Sequence, residues 1–320
     1  MSMRASQAVV VAAPQEIALQ TVNIKEAGPR DVLVKTRYTS ISAGTERLLM
    51  AGQLVQMAGL PFPCIPGYET VGEVVEIGSA VPPEYLGQTV FVGGAYGYEG
   101  FTSAWGGQSQ YVQTDFAKAF WLDKNLEPAL AVAIAPAATA WHAIELIQPQ
   151  PGELVLVMGQ GPIGQFAAQA ARLKGATVVV ADVVTSRLEH AIADYKIDLS
   201  HSNLKDFLPR KADILIDATG KMEVIGANLV HCRDRARVLL LGFYPKIELG
   251  FALPFLKELT FQPSREWVTS DIQAVIAALA TGQLEAAHLF THRFPIAQIK
   301  AAYTVALQDP ACLKVLLDWQ

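Results

Sequence analysis

The chain has 320 residues, 51% of them apolar and 17% charged, with a formal net charge of −5. That length allows one large or two medium domains with full cores. No apolar run reaches the roughly 20 residues of a membrane-spanning helix, and a weakly acidic chain without a basic cluster argues against a nucleic-acid partner. The short apolar run near the N-terminus reads as a first strand rather than a signal peptide, so the expected location is the cytoplasm. Cys64, Cys232 and Cys312 follow no disulfide or metal-knuckle spacing and read as small buried apolar residues.

In chain order, residues 7–42 read as three strands, QAVVVAAP, IALQTVNI and DVLVKTRYTSIS, separated by turn signals at Ala13-Pro14 and Gly28-Pro29. GTERLLMAG predicts a short helix with Thr45 as its N-cap. GYETVGEVVEIG predicts a strand pair hinged at Gly72, and GQTVFVGG another strand. Residues 93–107 are rich in glycine and aromatic side chains and predict a loop, followed by a return to strand character up to Leu122. Residues 127–147 have helical period and end before Pro149-Gln150-Pro151-Gly152.

Residues 153–182 carry the most specific signal. The apolar run 154–158 is short enough for a buried parallel strand. Gly159, Gly161 and Gly164 then give the G-x-G-x-x-G spacing, an apolar helical pattern follows to Gly175, and a second buried strand ends at Asp182. One glycine permits the tight turn, one lets the backbone approach a pyrophosphate, and one lets helix and strand pack closely. The pyrophosphate would sit on the helix N-terminus at Pro162 and Ile163, and Asp182 would accept hydrogen bonds from both ribose hydroxyls. A 2′-phosphate would meet that carboxylate, so the expected cofactor is NAD. Arg187 is placed to stack on the adenine or to cap a helix, and Thr219 and Gly220 fall where the sheet's carboxyl edge meets cofactor. Strand–helix alternation continues through ADILIDATG, residues 224–231 and residues 237–244, which predicts a doubly wound parallel sheet. The last sixty residues read as helix 270–281, strand LFTHRF, helix PIAQIKAAYTVAL and strand CLKVLLDW.

The motifs SISAGTE, PGYETVGEVVEIG, GGQSQYV, ATAWHAIELI, GQGPIGQFAAQAARLKGA, DATG and THRFPIAQIKAAY, in this order, resemble the medium-chain dehydrogenase/reductase superfamily over essentially the whole chain. The resemblance implies an α/β architecture in which a Rossmann domain, residues 127–261, is inserted in a GroES-like β-rich catalytic domain, residues 1–126 and 262–320. It also implies a homodimer joined through residues 237–244 and 249–259. ISAGTERL, PFPCIPGYETVGEVVE, LLLGFY, REW and DPACLKVLLDW are similar to the branch that oxidises a 1-hydroxyethyl side chain of a chlorophyllide or bacteriochlorophyllide, a tetrapyrrole, to acetyl in photosynthetic pigment synthesis.

Zinc-dependent members hold a catalytic ion with Cys, the His of Gly-His-Glu, and a third ligand. Here the first position falls in Ile41-Ser42-Ala43-Gly44, the second is Tyr68, and only Glu127 lies near the third. No metal is therefore expected. The resemblance implies that Thr45 contacts the substrate oxygen, with Glu46, Tyr68 and Glu69 able to continue a proton relay. Ser42, Tyr96, Tyr98 and Trp105 are candidates for contact with substrate. A quinone or enone reductase of the same superfamily, or a non-catalytic NAD-binding protein, are the alternative readings.

Overall fold

The computed structural model describes residues 3–320; Met1 and Ser2, part of the N-terminal segment read for a signal, lie outside the described residues. The chain forms two compact units, Met1–Ala135 with Ala286–Gln320, and Pro136–Glu285. The first unit opens with β1 (Arg4–Ala13), β2 (Glu16–Ile24), β3 (Asp31–Ser40), α1 (Ala43–Met50), α2 (Gln53–Ala58), β4 (Cys64–Ile65) and β5 (Thr70–Ile77). It continues with β6 (Thr89–Val92), β7 (Thr102–Ser103), β8 (Tyr111–Asp115), β9 (Ala119–Trp121) and α3 (Pro128–Ala131).

β1 shows why its sequence is an unbroken apolar run. Side chains alternate across a strand, and both faces of β1 are covered. Ala8 and Val10 enter a core with Val32, Val34 and Ile65, while Val9 and Val11 enter another with Leu49, Tyr303 and Val315. The expected hairpin at Gly72 is instead one continuous strand, β5. A Cβ at Gly72 would lie 2.2 Å from the Lys35 carbonyl, so the glycine permits close approach to β3, where the register shifts between Thr36 and Tyr38.

The second unit takes most of α4 (Ile134–Ile147), then β10 (Leu154–Met158), α5 (Pro162–Leu173), β11 (Thr177–Asp182), α6 (Thr185–His190), β12 (Tyr195–Asp198), α7 (Leu204–Phe207) and β13 (Ala212–Asp217). It ends with α8 (Met222–Asn228), β14 (Cys232–Leu240), α9 (Ala252–Leu256), β15 (Thr260–Pro263) and α10 (Thr269–Ala280). Six parallel strands run in the order β12-β11-β10-β13-β14-β15. Counted within the unit this is 3-2-1-4-5-6, the doubly wound order that places ligands outside the carboxyl ends of the central strands. Every residue of β10 is buried, as a central parallel strand requires.

The first unit resumes with β16 (His292–Pro295), α11 (Ile299–Gln308) and β17 (Val315–Asp318). β17 pairs with β3, which closes a seven-stranded sheet in the order β16-β17-β3-β5-β6-β9, with β8 also on β3. A second sheet has the order β2-β1-β4-β7. The unit boundaries fall at Ala135 and Glu285 rather than at the expected 126 and 261. The reason is visible in α10, which was expected in the returning segment. Asp271 on α10 lies 2.9 Å from His142 of α4, and Gln169 of α5 bonds the Glu285 backbone in both directions, at 2.8 and 3.0 Å. All three cysteines are buried, and none forms a disulfide. Among the described residues, no helix is long and apolar enough to cross a membrane.

Candidate functional site

In the second unit, the three fingerprint glycines have three different surroundings. Gly159 sits at φ +89° with Thr219 Cγ2 only 2.8 Å from a would-be Cβ, so it makes the turn. Gly164 would clash with the Gly159 carbonyl at 1.9 Å, so it sets the helix–strand approach. Gly161, the N-cap of α5, has nothing within 4 Å of that position. The open space therefore lies at the helix N-terminus, over Pro162 and Ile163, where the Ile163 N–H and the helix dipole favour an anion.

Asp182, at the end of β11, is already oriented. Its Oδ2 accepts from the Gln160 N–H at 2.6 Å and its Oδ1 from the Val184 N–H at 2.9 Å. Each carboxylate oxygen keeps acceptor capacity for a ribose hydroxyl. The Arg187 carbonyl accepts from Gln165 Nε2 at 3.1 Å, which ties α6 to α5. After β13, Thr219 donates to Asp217 at 2.6 Å, the Gly220 N–H reaches the same carboxylate at 3.1 Å, and Tyr244 donates to it at 2.5 Å. Burial pushes the Asp217 carboxyl upward. Asp217 and Tyr244 fix the loops at this end of the sheet, and sequence reasoning had not singled them out. The residues present fit a dinucleotide.

In the first unit, α1 begins at Ala43 with Ser42 as its N-cap, so Thr45 lies inside the first turn rather than capping it. That start turns hydroxyls toward Tyr68. Thr45 Oγ1 and the Tyr68 hydroxyl share a hydrogen bond at 2.9 Å, and Ser42 Oγ meets the same phenol oxygen. Burial, then the charge of Glu69, pushes the Tyr68 phenol above its ordinary value. Trp105 stands edge-on to Tyr68 with ring centroids 5.3 Å apart.

Two buried carboxylates adjoin this cluster. Glu69 Oε2 accepts from Ser40 Oγ and lies 2.5 Å from Lys314 Nζ. Glu46 accepts from the Ser42 N–H at 3.1 Å and from the Tyr303 hydroxyl; burial lifts its carboxyl to about 7, with these two donors opposing the rise. Lys314, Tyr303 and Ser40 were not anticipated, because their partners are remote in sequence.

The structure thus brings Ser42, Thr45, Glu46, Tyr68, Glu69 and Trp105 together. Tyr96 and Tyr98 go elsewhere. Tyr98 is buried in the β core and donates to the Gly106 carbonyl at 2.6 Å, and Tyr96 donates to Asp31. Each hydroxyl donates within this unit, away from the Tyr68 cluster.

A zinc ion does not suit these donors. The three hydroxyls satisfy one another, Tyr68 is held protonated, and Glu69 is committed to Lys314, whereas zinc takes thiolate, imidazole or free carboxylate. Among the described residues, no three His, Cys, Asp or Glu side chains form a group able to hold a metal.

Comparison with known proteins agrees with both units. Residues 28–124 match the alcohol dehydrogenase GroES-like domain family, and residues 162–281 match the zinc-binding dehydrogenase family. The chain is 31% identical to the 2-desacetyl-2-hydroxyethyl bacteriochlorophyllide A dehydrogenase of Cereibacter sphaeroides, over 98% of each chain. Among solved structures, an alcohol dehydrogenase from Escherichia coli in complex with NADH superposes with a TM-score of 0.87 at 24% identity, covering 98% of this chain and 99% of that one. A zinc-binding dehydrogenase from Sinorhizobium meliloti, bound to NADP, gives 0.86 at 25% identity, covering 99% and 100%. The chain belongs to the medium-chain dehydrogenase/reductase superfamily and is an oxidoreductase of the alcohol dehydrogenase type.

Proposed function

We propose that this protein is an NAD-dependent, zinc-independent dehydrogenase that oxidises a 1-hydroxyethyl side chain of a chlorophyllide or bacteriochlorophyllide to acetyl, in the synthesis of (bacterio)chlorophyll. The observation that carries the reading is the Thr45–Tyr68 hydrogen bond at 2.9 Å, in a cluster whose donors do not suit zinc. Oxidising a secondary alcohol requires loss of a hydride and loss of the hydroxyl proton. A bound nicotinamide supplies the hydride acceptor. Thr45, with Tyr68 and Ser42 behind it, orients the alcohol and receives its proton, the work that a metal would otherwise ease. Trp105, edge-on to Tyr68, offers an aromatic face suited to a flat apolar macrocycle. The identity to the Cereibacter sphaeroides enzyme supports the choice of substrate.

Asp182 supports NAD over NADP, since a 2′-phosphate would bring like charges together. A cytoplasmic homodimer completes the reading, joined along the exposed apolar segment between β14 and β15.

The test is Thr45→Val. Turnover of a hydroxyethyl chlorin should fall by about 10²–10⁴-fold, the range for a lost acid–base group, with NAD binding unchanged. Normal turnover would remove Thr45 from the reaction. Reduction of a quinone without oxidation of any hydroxyethyl chlorin would favour the reductase reading, which also needs no zinc.

A further inference from the structure

The strand order of the second unit reverses direction between β10 and β13, so the loops after these two strands flank the crevice where such sheets hold a ligand. The strand ends are aligned there, Met158 pairing with Asp217 and Asp217 with Leu240. Across the crevice the two loops meet through Thr219, whose Cγ2 lies 2.8 Å from a would-be Cβ at Gly159. The same side chain is held from behind, its hydroxyl donating to Asp217 Oδ1 at 2.6 Å. Thr219 is therefore fixed at both ends, with its methyl on the fingerprint turn and its hydroxyl on a fully buried carboxylate.

Asp217 also reaches the loop after β14. Its Oδ2 accepts from the Gly220 N–H at 3.1 Å and from the Tyr244 hydroxyl at 2.5 Å, and that hydroxyl accepts in turn from the Gly242 N–H at 3.2 Å. The two loops lie backbone to backbone, since a Cβ at Gly242 would fall 2.4 Å from the Gly220 Cα. Backbone pairing alone does not call for the phenol. The Leu241 and Gly242 N–H groups already bond the Asp217 carbonyl, at 3.0 and 3.1 Å. What the carboxylate and the phenol add is the orientation of Thr219 and Gly220.

We propose that Asp217 and Tyr244 are positioning residues of the cofactor site: the carboxylate, clamped by the phenol, sets Thr219 against the Gly159 turn, which walls the crevice that receives the dinucleotide. The inference needs a nicotinamide dinucleotide and no particular alcohol, so it goes beyond the dehydrogenase reading and does not depend on its substrate. Asp217 is closed off from solvent, so its effect passes through Thr219 and Gly220. Without the carboxylate, Thr219 is free to turn about its Cα–Cβ bond, and the turn at Gly159, at φ +89°, loses the methyl packed against it. A site held in shape before its ligand arrives gives up less conformational freedom on binding, and this is expressed as affinity.

The experiment is a fluorescence titration of the full chain with NADH, and with NADPH as a second probe, beside the thermal midpoint of each protein without cofactor. The variants are Tyr244→Phe, Asp217→Asn, Thr219→Val and the double change Asp217→Asn with Thr219→Val. Tyr244→Phe removes one hydrogen bond to a charged group and should weaken the tighter-binding dinucleotide by roughly tenfold. Thr219→Val keeps a methyl but frees the side chain from Asp217, and should weaken binding comparably. The double change should bind no more weakly than Asp217→Asn alone, because the carboxylate acts through Thr219. Should Asp217→Asn fail to fold, Tyr244→Phe with Thr219→Val supplies the same cycle. A role in stability alone would lower the thermal midpoint and leave the dissociation constants of the folded proteins unchanged. That result, or additive losses in the double change, overturns the inference. If the unmutated protein binds neither dinucleotide, the cofactor reading fails and the inference with it, an outcome distinct from variants that bind as tightly as the unmutated protein.

Discussion

Lys314 and Glu69 form a buried ion pair, Nζ to Oε2 at 2.5 Å, between the start of β5 and the approach to β17. Removing one partner of such a pair strands the other charge, whereas replacing both leaves no charge behind. Lys314→Met should therefore lower stability by about 3–5 kcal/mol, and the double change Lys314→Met with Glu69→Gln should recover most of that loss. Urea unfolding of the three proteins measures it. A single change within about 1 kcal/mol of the unmutated protein, the size of an exposed pair, would contradict the buried geometry.

Asp182 should set cofactor choice. Two unit charges about 4 Å apart repel by ~4 kcal/mol at an effective dielectric near 20, and tenfold in affinity is about 1.4 kcal/mol. NADH should bind roughly 10–10³-fold more tightly than NADPH, and Asp182→Ser should narrow the gap. Titration calorimetry with both cofactors decides the point, and tighter binding of NADPH to the unmutated protein would refute it.

Much of the second unit was legible because its signal is local. The turn, the helix start and the strand tip that use Gly159, Gly161, Gly164 and Asp182 all fall within one strand–helix–strand unit. The edge strand β12 was not legible, since only Ile197 of its four residues is buried and no apolar period marks it. The hydroxyl cluster was half legible: Ser42, Thr45 and Tyr68 lie in recognisable motifs. Glu46 meets Tyr303 across 257 residues of sequence, a pairing that only the closure of α11 onto α1 creates. Tyr98 misled for a related reason. The glycine-rich loop made Tyr98 a candidate for substrate contact, but Gly106, at φ +72°, turns the chain so that its carbonyl accepts the Tyr98 hydroxyl inside the core.

Glu46 also makes stability depend on pH. Its carboxyl rises from an ordinary 4.5 to about 7 on folding, so between those values the folded state binds the proton that the unfolded state has released. The contribution is fully present below about pH 4.5 and is lost as pH rises through about 7. At 1.36 kcal/mol per unit it amounts to roughly 3 kcal/mol. Unfolding free energies of the unmutated protein and Glu46→Gln, compared at pH 5 and pH 8, should diverge by about that amount. Parallel curves would show that Glu46 does not titrate in this window.

The segment between β14 and β15 should be the dimer surface. Phe243, Ile247, Phe251, Phe255 and Leu256 are all exposed there, Phe251 at 75% and Leu256 at 72%, next to the edge strand β15. An apolar patch beside an open strand edge is a liability unless it is covered. Light scattering should give twice the chain mass at micromolar concentration, and Phe251→Glu with Phe255→Glu should reduce it to the monomer. A monomer mass for the unmutated protein would contradict the dimer.

The most direct test of the account is to mix the purified protein with NAD and a hydroxyethyl chlorin in the presence of a strong zinc chelator, and to follow the red absorption band together with NADH. Conversion of hydroxyethyl to acetyl conjugates a carbonyl with the ring and shifts that band. The account predicts a shift with one NADH formed per acetyl group, at a rate the chelator does not change. An unshifted band, or turnover that disappears in chelator and returns only with zinc, would contradict it.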